Sequence, residues 1–217
     1  MGEINLLDRY PRAKRNPDER AASVTEEDRR VAKQFGSEYF DGPRNRGYGG
    51  YRYDGRWVPV VKRFAEYYNL TSSSKVLDVG CAKGFMLHDF AQAVPGITVA
   101  GIDISQYAID NSMEDVRSFL KFGNAKDLSM FGNKSFDLVI SINTIHNLRL
   151  EECKKALTEI QRVGRHSFIT VDAWRTPEEE ARMKKWNITA ETFMHVDDWK
   201  RLFEKAGYTG DYYWFIP

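Results

Sequence analysis

The stretch Lys75-Val-Leu-Asp-Val-Gly-Cys-Ala-Lys-Gly-Phe85 constrains this chain more than any other. Lys75 to Val79 reads as a short buried strand rich in Val and Leu. Gly80 and Gly84 bracket a tight loop, and Leu87, Phe90, Ala91 and Val94 then recur at helical spacing. Strand, glycine loop and helix in this order make a cradle for a nucleotide-type ligand. The glycines let backbone approach the ligand, and the helix start offers unpaired N–H groups to an anionic part. The pattern is Asp-x-Gly-x-x-x-Gly, not the Gly-x-Gly-x-x-Gly of dinucleotide binders.

Around this unit, buried-strand patterns recur at 97–104, 118–122, 135–142, 166–171 and 212–216. Helical patterns separate them at 105–112 and 150–163, from Thr176-Pro177, and around Val196 to Ala206 before Gly207. Upstream, Thr25 and Asp28 have capping-box spacing for a helix reaching Phe35, and Trp57, Val60, Val61, Phe64 and Tyr68 mark another. Alternating strands and helices predict an α/β fold, a parallel sheet covered on both faces. Ligands in such sheets sit at the carboxyl ends of the strands, where every motif singled out below falls.

The division expected is an N-terminal arm, helix and lid over 1–56 and a ligand-binding domain over 57–217, within one compact domain. Residues 1–23 carry Arg9, Arg12, Lys14, Arg15 and Arg20 among prolines and acids, which predicts a solvated arm that buries little. Between Phe40 and Trp57 lie five glycines, three tyrosines and four arginines without helical or strand period. A loop of that length in a compact domain is commonly a lid or binding loop, and its Tyr and Arg side chains suit a polar or anionic ligand. Tyr48, Tyr51, Arg52, Tyr53, Asp54 and Arg56 are the substrate-binding candidates. The competing reading is a glycine-rich surface loop whose tyrosines only pack.

The 32 basic and 31 acidic residues leave a net charge of +1, with no bulk attraction for nucleic acid. No apolar run approaches the roughly 18 residues of a membrane span, and no signal-type apolar core opens the chain. Cys81 and Cys153 form no disulfide framework, so a cytoplasmic protein is expected. Four scattered histidines and two cysteines predict no metal site.

Asp103 ends the second strand pattern, 23 positions after Gly80, where a carboxylate can accept from both hydroxyls of a ribose. It can equally cap the following helix. Gly123-Asn124-Ala125 follows the third strand pattern and also reads as a plain turn.

Taken together, Val76-Leu-Asp-Val-Gly-Cys-Ala-Lys-Gly84, Asp103 and Asp137-Leu-Val-Ile-Ser-Ile-Asn-Thr-Ile-His-Asn147 resemble motifs of the class I S-adenosylmethionine (SAM) dependent methyltransferases. The resemblance covers about 57–217 and departs from the usual Gly-x-Gly-x-Gly, since Ala82 replaces the middle glycine. It implies a Rossmann-like, doubly wound, mostly parallel sheet of six to seven strands with helices on both faces, plus the N-terminal helical and lid extension. In the family the sheet ends in an antiparallel hairpin, whereas a single strand pattern follows Gly207 here. The resemblance implies that Asp78, Gly80 and Cys81 hold the amino-acid end of SAM and that Gly84 opens the helix. Asp103 would take the ribose, Ile104, Asn124 and Ala125 the adenine, and Asn143 the methionine part, with S-adenosylhomocysteine (SAH) as product. His146 would sit near the transferred methyl. An imidazole of pKa about 6.5 makes it the general-base candidate, with Asp54 second. His195 reads as a helix-entry residue and His88 as solvent-facing.

No Asn/Asp-Pro-Pro-aromatic sequence follows the fourth strand pattern, and no acidic cluster that would hold Mg²⁺. The function expected is metal-independent methyl transfer to a hydroxyl, less readily an amine, of a small anionic acceptor such as a nucleotide-linked or phosphorylated sugar. The segment 47–57 is similar to a bacterial subgroup associated with surface polysaccharide biosynthesis. The rivals are an NAD(P)-dependent oxidoreductase and a non-catalytic SAM-binding protein. Oligomeric state is not legible.

Overall fold

The computed structural model describes residues 2–11 and 15–217, so Arg12 and Lys14 of the arm lie outside the described residues. In chain order the elements are α1 (Pro17–Ser23), α2 (Glu26–Ala32), α3 (Ser37–Phe40), α4 (Val58–Tyr67), β1 (Lys75–Val79), α5 (Phe85–Ala93), β2 (Thr98–Asp103), α6 (Gln106–Asp110), β3 (Leu120–Phe122), β4 (Phe136–Ile142), α7 (Leu150–Val163), β5 (Gly164–Trp174), α8 (Pro177–Trp186), β6 (Met194–His195), α9 (Val196–Ala206) and β7 (Asp211–Phe215).

Seven strands form the sheet among the described residues, in the order β3-β2-β1-β4-β5, with β6 and β7 both pairing β5. Val76 faces Val99 of β2 and Leu138 of β4, which puts β1 and its glycine loop at the centre, where the strand order reverses. Every strand pairing described is parallel. β7 itself runs beside β5 in parallel, Phe168 facing Asp211 and Asp172 facing Phe215, so the antiparallel hairpin implied by the family does not form. The outer edge of β7 is instead met by the N-terminal segment: Ile4 N donates to Tyr212 O at 2.9 Å and Tyr212 N to Gly2 O at 3.0 Å.

Apolar stripes decide which face each helix covers. Val60, Val61 and Phe64 of α4 and Leu87 and Phe90 of α5 pack on one side of the sheet. On the other, Leu157 and Ile160 of α7 meet Trp199 and Phe203 of α9. Caps fix the helix ends, as with the reciprocal Thr25–Asp28 box of α2 and Thr176 accepting from Glu179 N before α8.

The solvated arm is corrected here. Leu6 and Pro17 are buried, and so is Arg20, whose guanidinium donates to Trp186 O, Gly47 O and Arg44 O at 2.9, 3.1 and 3.4 Å. A cation can be buried when its donors are met, and these carbonyls tie α1 to the end of α8 and to the lid.

Candidate active site

At the carboxyl ends of β1, β2, β4 and β5 the structure encloses a cavity of about 670 Å³, within the range of ligand pockets. Asp78, Gly80, Cys81, Asp103, Ile104, Asn124, Ala125 and Asn143 all line it, from four different loops. Gly80 sits at φ +90°, and a Cβ there would lie 2.1 Å from Thr144 Oγ1, so only glycine fits. Its N–H and that of Cys81 both donate to Ile102 O, at 2.7 and 3.1 Å, which stitches the glycine loop to β2. Ala82 stands at φ +48°, in the left-handed region where the family pattern has glycine.

The cap of α6 is Ser105, accepting from Ala108 N at 3.1 Å, and not Asp103. The oxygens of Asp103 accept from Ala82 N at 2.7 Å and Ser105 N at 2.8 Å, so it joins the two loops while its carboxylate lines the cavity. Beside it Ile104 is 48% exposed, an apolar side chain left facing an open cavity. Burial, then the charge of Asp103, pushes the Asp78 carboxyl up to about 8. Asn124 Oδ1 accepts from Lys126 N at 3.1 Å, so this residue does head a turn, and the turn lies on the cavity wall. Asn143, at φ +51°, donates its N–H to Thr170 and accepts from Thr170 Oγ1 at 2.8 Å. Close by, Asn147 Oδ1 is buried with no hydrogen-bond partner among the described residues, although Asn147 lines the cavity. An orphaned acceptor there fits a ligand that brings a donor.

Several candidates fall elsewhere. Gly84 is at φ +75° and opens α5, but it faces Val116 and Leu120 rather than the cavity. Of the lid residues Tyr48, Tyr51 and Arg56 line the cavity, and Arg52, Tyr53 and Asp54 do not. Tyr53 turns outward, its hydroxyl donating to Asp89 Oδ1 at 2.6 Å and its ring against Phe85 and His88. Asp54 is an exposed partner of Arg56, which removes it as a base. Arg46 is held by Asp28 and Glu38, so among the lid arginines Arg44 and Arg56 reach the cavity. His88 pairs with Asp115 at 2.7 Å, and His195 caps α9 by accepting from Asp197 N.

His146 is corrected in role. It lines the cavity from a short 3-10 helix, Ile145–Asn147, with only 3% of its surface exposed. Its Nδ1 accepts from Asp172 N at 3.0 Å, which leaves the proton on Nε2. Burial pushes the imidazole down to about 3, so at neutral pH it is a hydrogen-bond donor and not a proton acceptor.

Asp172, absent from the sequence candidates, lies beside it. Thr170 and Asp172 alternate at the end of β5, two residues apart and so on one face of the strand. The peptide of Asp172 is clamped on both sides, its N–H by His146 and its carbonyl by Trp199 Nε1 at 2.9 Å. Its carboxyl lines the cavity 3.4 Å from His146 Nδ1, and burial pushes it up to about 7, with Arg15 pulling the other way. Arg15 stands 4.5 Å from the ring centre of Phe215 and 5.9 Å from that of Trp186, and Arg44 and Arg175 also line the cavity, Arg175 paired with Glu3 at 2.6 Å.

A family model described as a methyltransferase domain matches residues 70–207, more than half of the chain. The chain belongs to that family. This methyltransferase is similar to YcgJ of Bacillus subtilis, at 16% identity and TM-score 0.55, covering 67% of this chain and 66% of that one. It also resembles a phosphoethanolamine N-methyltransferase of Haemonchus contortus in complex with SAH, at 17% identity and TM-score 0.50 over 66% of this chain and 35% of that one. Those likenesses are of fold. An uncharacterized protein of Haemophilus influenzae is 26% identical over 152 residues, 64% of this chain and 59% of that protein. The chain therefore spans about 59% of the length of that relative.

Residues 70–207 form a domain of the methyltransferase family, and the cofactor that the sequence resemblance implies is SAM. The cavity fits that cofactor: a glycine that tolerates no Cβ, two buried carboxyls for a cationic ligand, an exposed Ile104 and an orphaned Asn147 acceptor converge on it. No group of His, Cys, Asp and Glu with metal-binding spacing occurs among the described residues, and no helix among them is long and apolar enough to cross a membrane.

Proposed function

We propose that this methyltransferase acts on a hydroxyl of a small anionic acceptor seated between the lid and the carboxyl ends of β5 and β7. The observation that carries this reading is Asp172, a buried carboxyl pushed up to about 7, in a cavity also lined by Arg15, Arg44 and Arg175. Bound in the other half of the cavity, SAM supplies an activated methyl group. Asp78, Gly80, Cys81, Asp103, Ile104, Asn124, Ala125 and Asn143 hold it. The acceptor's anionic group pairs with Arg44, and Tyr48, Tyr51 and Arg56 close over it. Alignment and exclusion of water do most of the work in such a transfer. Asp172 receives the hydroxyl proton, and His146 fixes the peptide that carries it.

Residues 1–56 serve as lid and acceptor wall, and 57–217 as the cofactor domain. A phosphorylated or nucleotide-linked sugar, as in surface polysaccharide synthesis, is the acceptor class these charges suit best. Two free, buried cysteines support a reducing, cytoplasmic setting.

Parallel calorimetric titrations with SAM, SAH and NAD(H) come first, then SAH production with UDP-glucose, glucose 6-phosphate and phosphoethanolamine. We expect SAM and SAH binding, no NAD(H) binding, and turnover with a sugar phosphate or nucleotide sugar. Asp172→Asn lowers the rate by about 10²–10⁴-fold, the usual contribution of a general base, with SAH affinity kept within about threefold. Turnover confined to the amine would overturn the hydroxyl reading, and SAM binding without turnover in any arm would favour a non-catalytic SAM-binding protein.

A further inference from the structure

The lysine inside the glycine loop lines the cavity, but its ammonium is bonded to the segment above it. Lys83 is buried, and its Nζ reaches both carboxylate oxygens of Asp41, at 2.7 and 2.8 Å. Asp41 follows α3 in the segment that leads into the lid, 42 residues away along the chain. Tyr107 of α6 donates its hydroxyl to the same carboxylate at 2.6 Å, and its ring stacks on Phe40 at 6.4 Å. Next to it Ser105 Oγ donates to Phe35 O at 2.5 Å.

These bonds come from the two loops that build the cofactor half of the cavity, one after β1 and one after β2. All of them end on one short piece of chain, 35–41. The inner face of that piece and of the lid beyond it closes on the cavity. Phe35, Tyr39, Phe40 and Tyr51 line it opposite Gly80, Ala82, Asp103 and Ile104. Tyr51 donates to the Tyr39 hydroxyl at 2.8 Å, so the roof is itself cross-braced. A buried ammonium needs a partner, and the one Lys83 has lies on the roof. Burial raises the Asp41 carboxyl, yet the bonds from Lys83 and Tyr107 outweigh it and hold the group below its usual range.

We propose that Lys83 and Tyr107 are positioning residues which, through Asp41, clasp segment 35–57 over the bound cofactor and set how long it stays. The floor decides which ligand enters, and the clasp governs its release. Opening the roof means parting an ion pair whose lysine side chain is 9% exposed. The clasp rests on SAM and SAH binding in this cavity, and it is independent of which acceptor is methylated.

The test is SAH dissociation followed by stopped-flow fluorescence, with limited trypsin digestion at the lid arginines as a second readout. Asp41→Asn and Lys83→Met each remove the ion pair, and Tyr107→Phe removes one bond from the rim without touching a buried charge. SAH leaves Asp41→Asn and Lys83→Met about tenfold faster, the effect of one charge-assisted hydrogen bond. The double variant is no faster than either single one, because both break the same link. SAH protects the wild-type lid from trypsin, and the variants lose most of that protection, with the melting temperature of the ligand-free protein unchanged in Tyr107→Phe. Tyr107→Phe, the variant least able to disturb folding, shows a smaller acceleration in the same direction. Dissociation within twofold of wild type in Tyr107→Phe and in whichever charge variants fold, with protection retained, overturns the clasp alone. Absence of SAH binding to the wild-type protein would overturn the cofactor reading and the clasp with it.

Discussion

Within the glycine loop, two neighbouring residues with the same backbone problem call for opposite substitutions. Gly80 at φ +90° has no room for a side chain, since a Cβ would strike Thr144, whose hydroxyl is held by Ile142 O at 3.1 Å. Gly80→Ala combines that clash with left-handed strain, so it lowers stability by about 2–4 kcal/mol and SAH affinity by more than tenfold. Denaturant melts and calorimetry read both effects. Ala82 already lies at φ +48°. Ala82→Gly relieves strain of about 1 kcal/mol and loosens the unfolded chain by a similar amount, so stability and SAH affinity stay within about twofold. At this scale the sequence is legible where chemistry depends on a chain-local pattern: Asp78, Gly80 and Asp103 all line the cavity. It does not reveal Asp172, because what ties that residue to His146 is a hydrogen bond between residues 26 apart. The pH dependence separates them. A base must be ionised to work, so turnover with a hydroxyl acceptor rises as pH increases through about 7, the value of Asp172, and levels off above it. The groups facing that carboxyl are His146, Tyr48 and Arg15. His146, neutral down to about 3, contributes no step in the neutral range. His146→Gln, which keeps an acceptor for the Asp172 N–H, retains the rise near 7, whereas Asp172→Asn abolishes it.

Secondary-structure elements divide the same way. α7 occupies 150–163 and β1 75–79, as their periods require, because long apolar stripes and a run of buried β-formers override local competition. β5 runs to Trp174, three residues beyond its apolar core, and that short excess carries Asp172. β6, only two residues long, and α1, which is polar in sequence, leave no periodic signal and exist through tertiary contacts. For α1 the contact is Arg20. Its guanidinium satisfies backbone carbonyls of the α8 terminus and the lid, and lies 4.8 Å from the ring centres of both Tyr48 and Trp186. Removing it strands buried carbonyls and uncovers two aromatic faces. Arg20→Ala therefore lowers global stability by about 2–4 kcal/mol, and Arg20→Lys, with three donors but no planar fork, recovers less than half of that. Chemical denaturation measures the loss. If Arg20→Ala unfolds at the wild-type midpoint, α1 does not pin the lid.

Across the whole molecule, the proposed cofactor and acceptor halves of the cavity draw on different parts of the chain. The cofactor half is built from the loops after β1, β2, β3 and β4 and is roofed from 35 onward. The acceptor half is walled by Asn5, Leu7, Tyr10 and Arg15 on one side and by Tyr213 and Phe215 of β7 on the other. The N-terminal segment is hydrogen-bonded to β7 through Gly2 and Ile4, with Tyr10 against Trp57 and Leu6 in the same apolar cluster as Cys81 and Met86. A wall of this kind is invisible in sequence, since residues 2–11 have no period and meet β7 from the far end of the chain. Deleting residues 2–11 uncovers the edge of β7, an unpaired strand of mixed aromatic residues, and removes Leu6 from the core. The truncated protein melts at lower temperature and associates at high concentration, as size-exclusion chromatography with light scattering detects. Its SAH affinity stays within about threefold, because the segment makes none of the loop contacts around Gly80 and Asp103. Its methyl transfer falls by at least tenfold, because the acceptor then reacts from a half-open site with water admitted beside Asp172. Equal losses of SAH binding and turnover on truncation would mean that the two halves are not separable, and that the N-terminal segment supports the whole fold and not the acceptor wall.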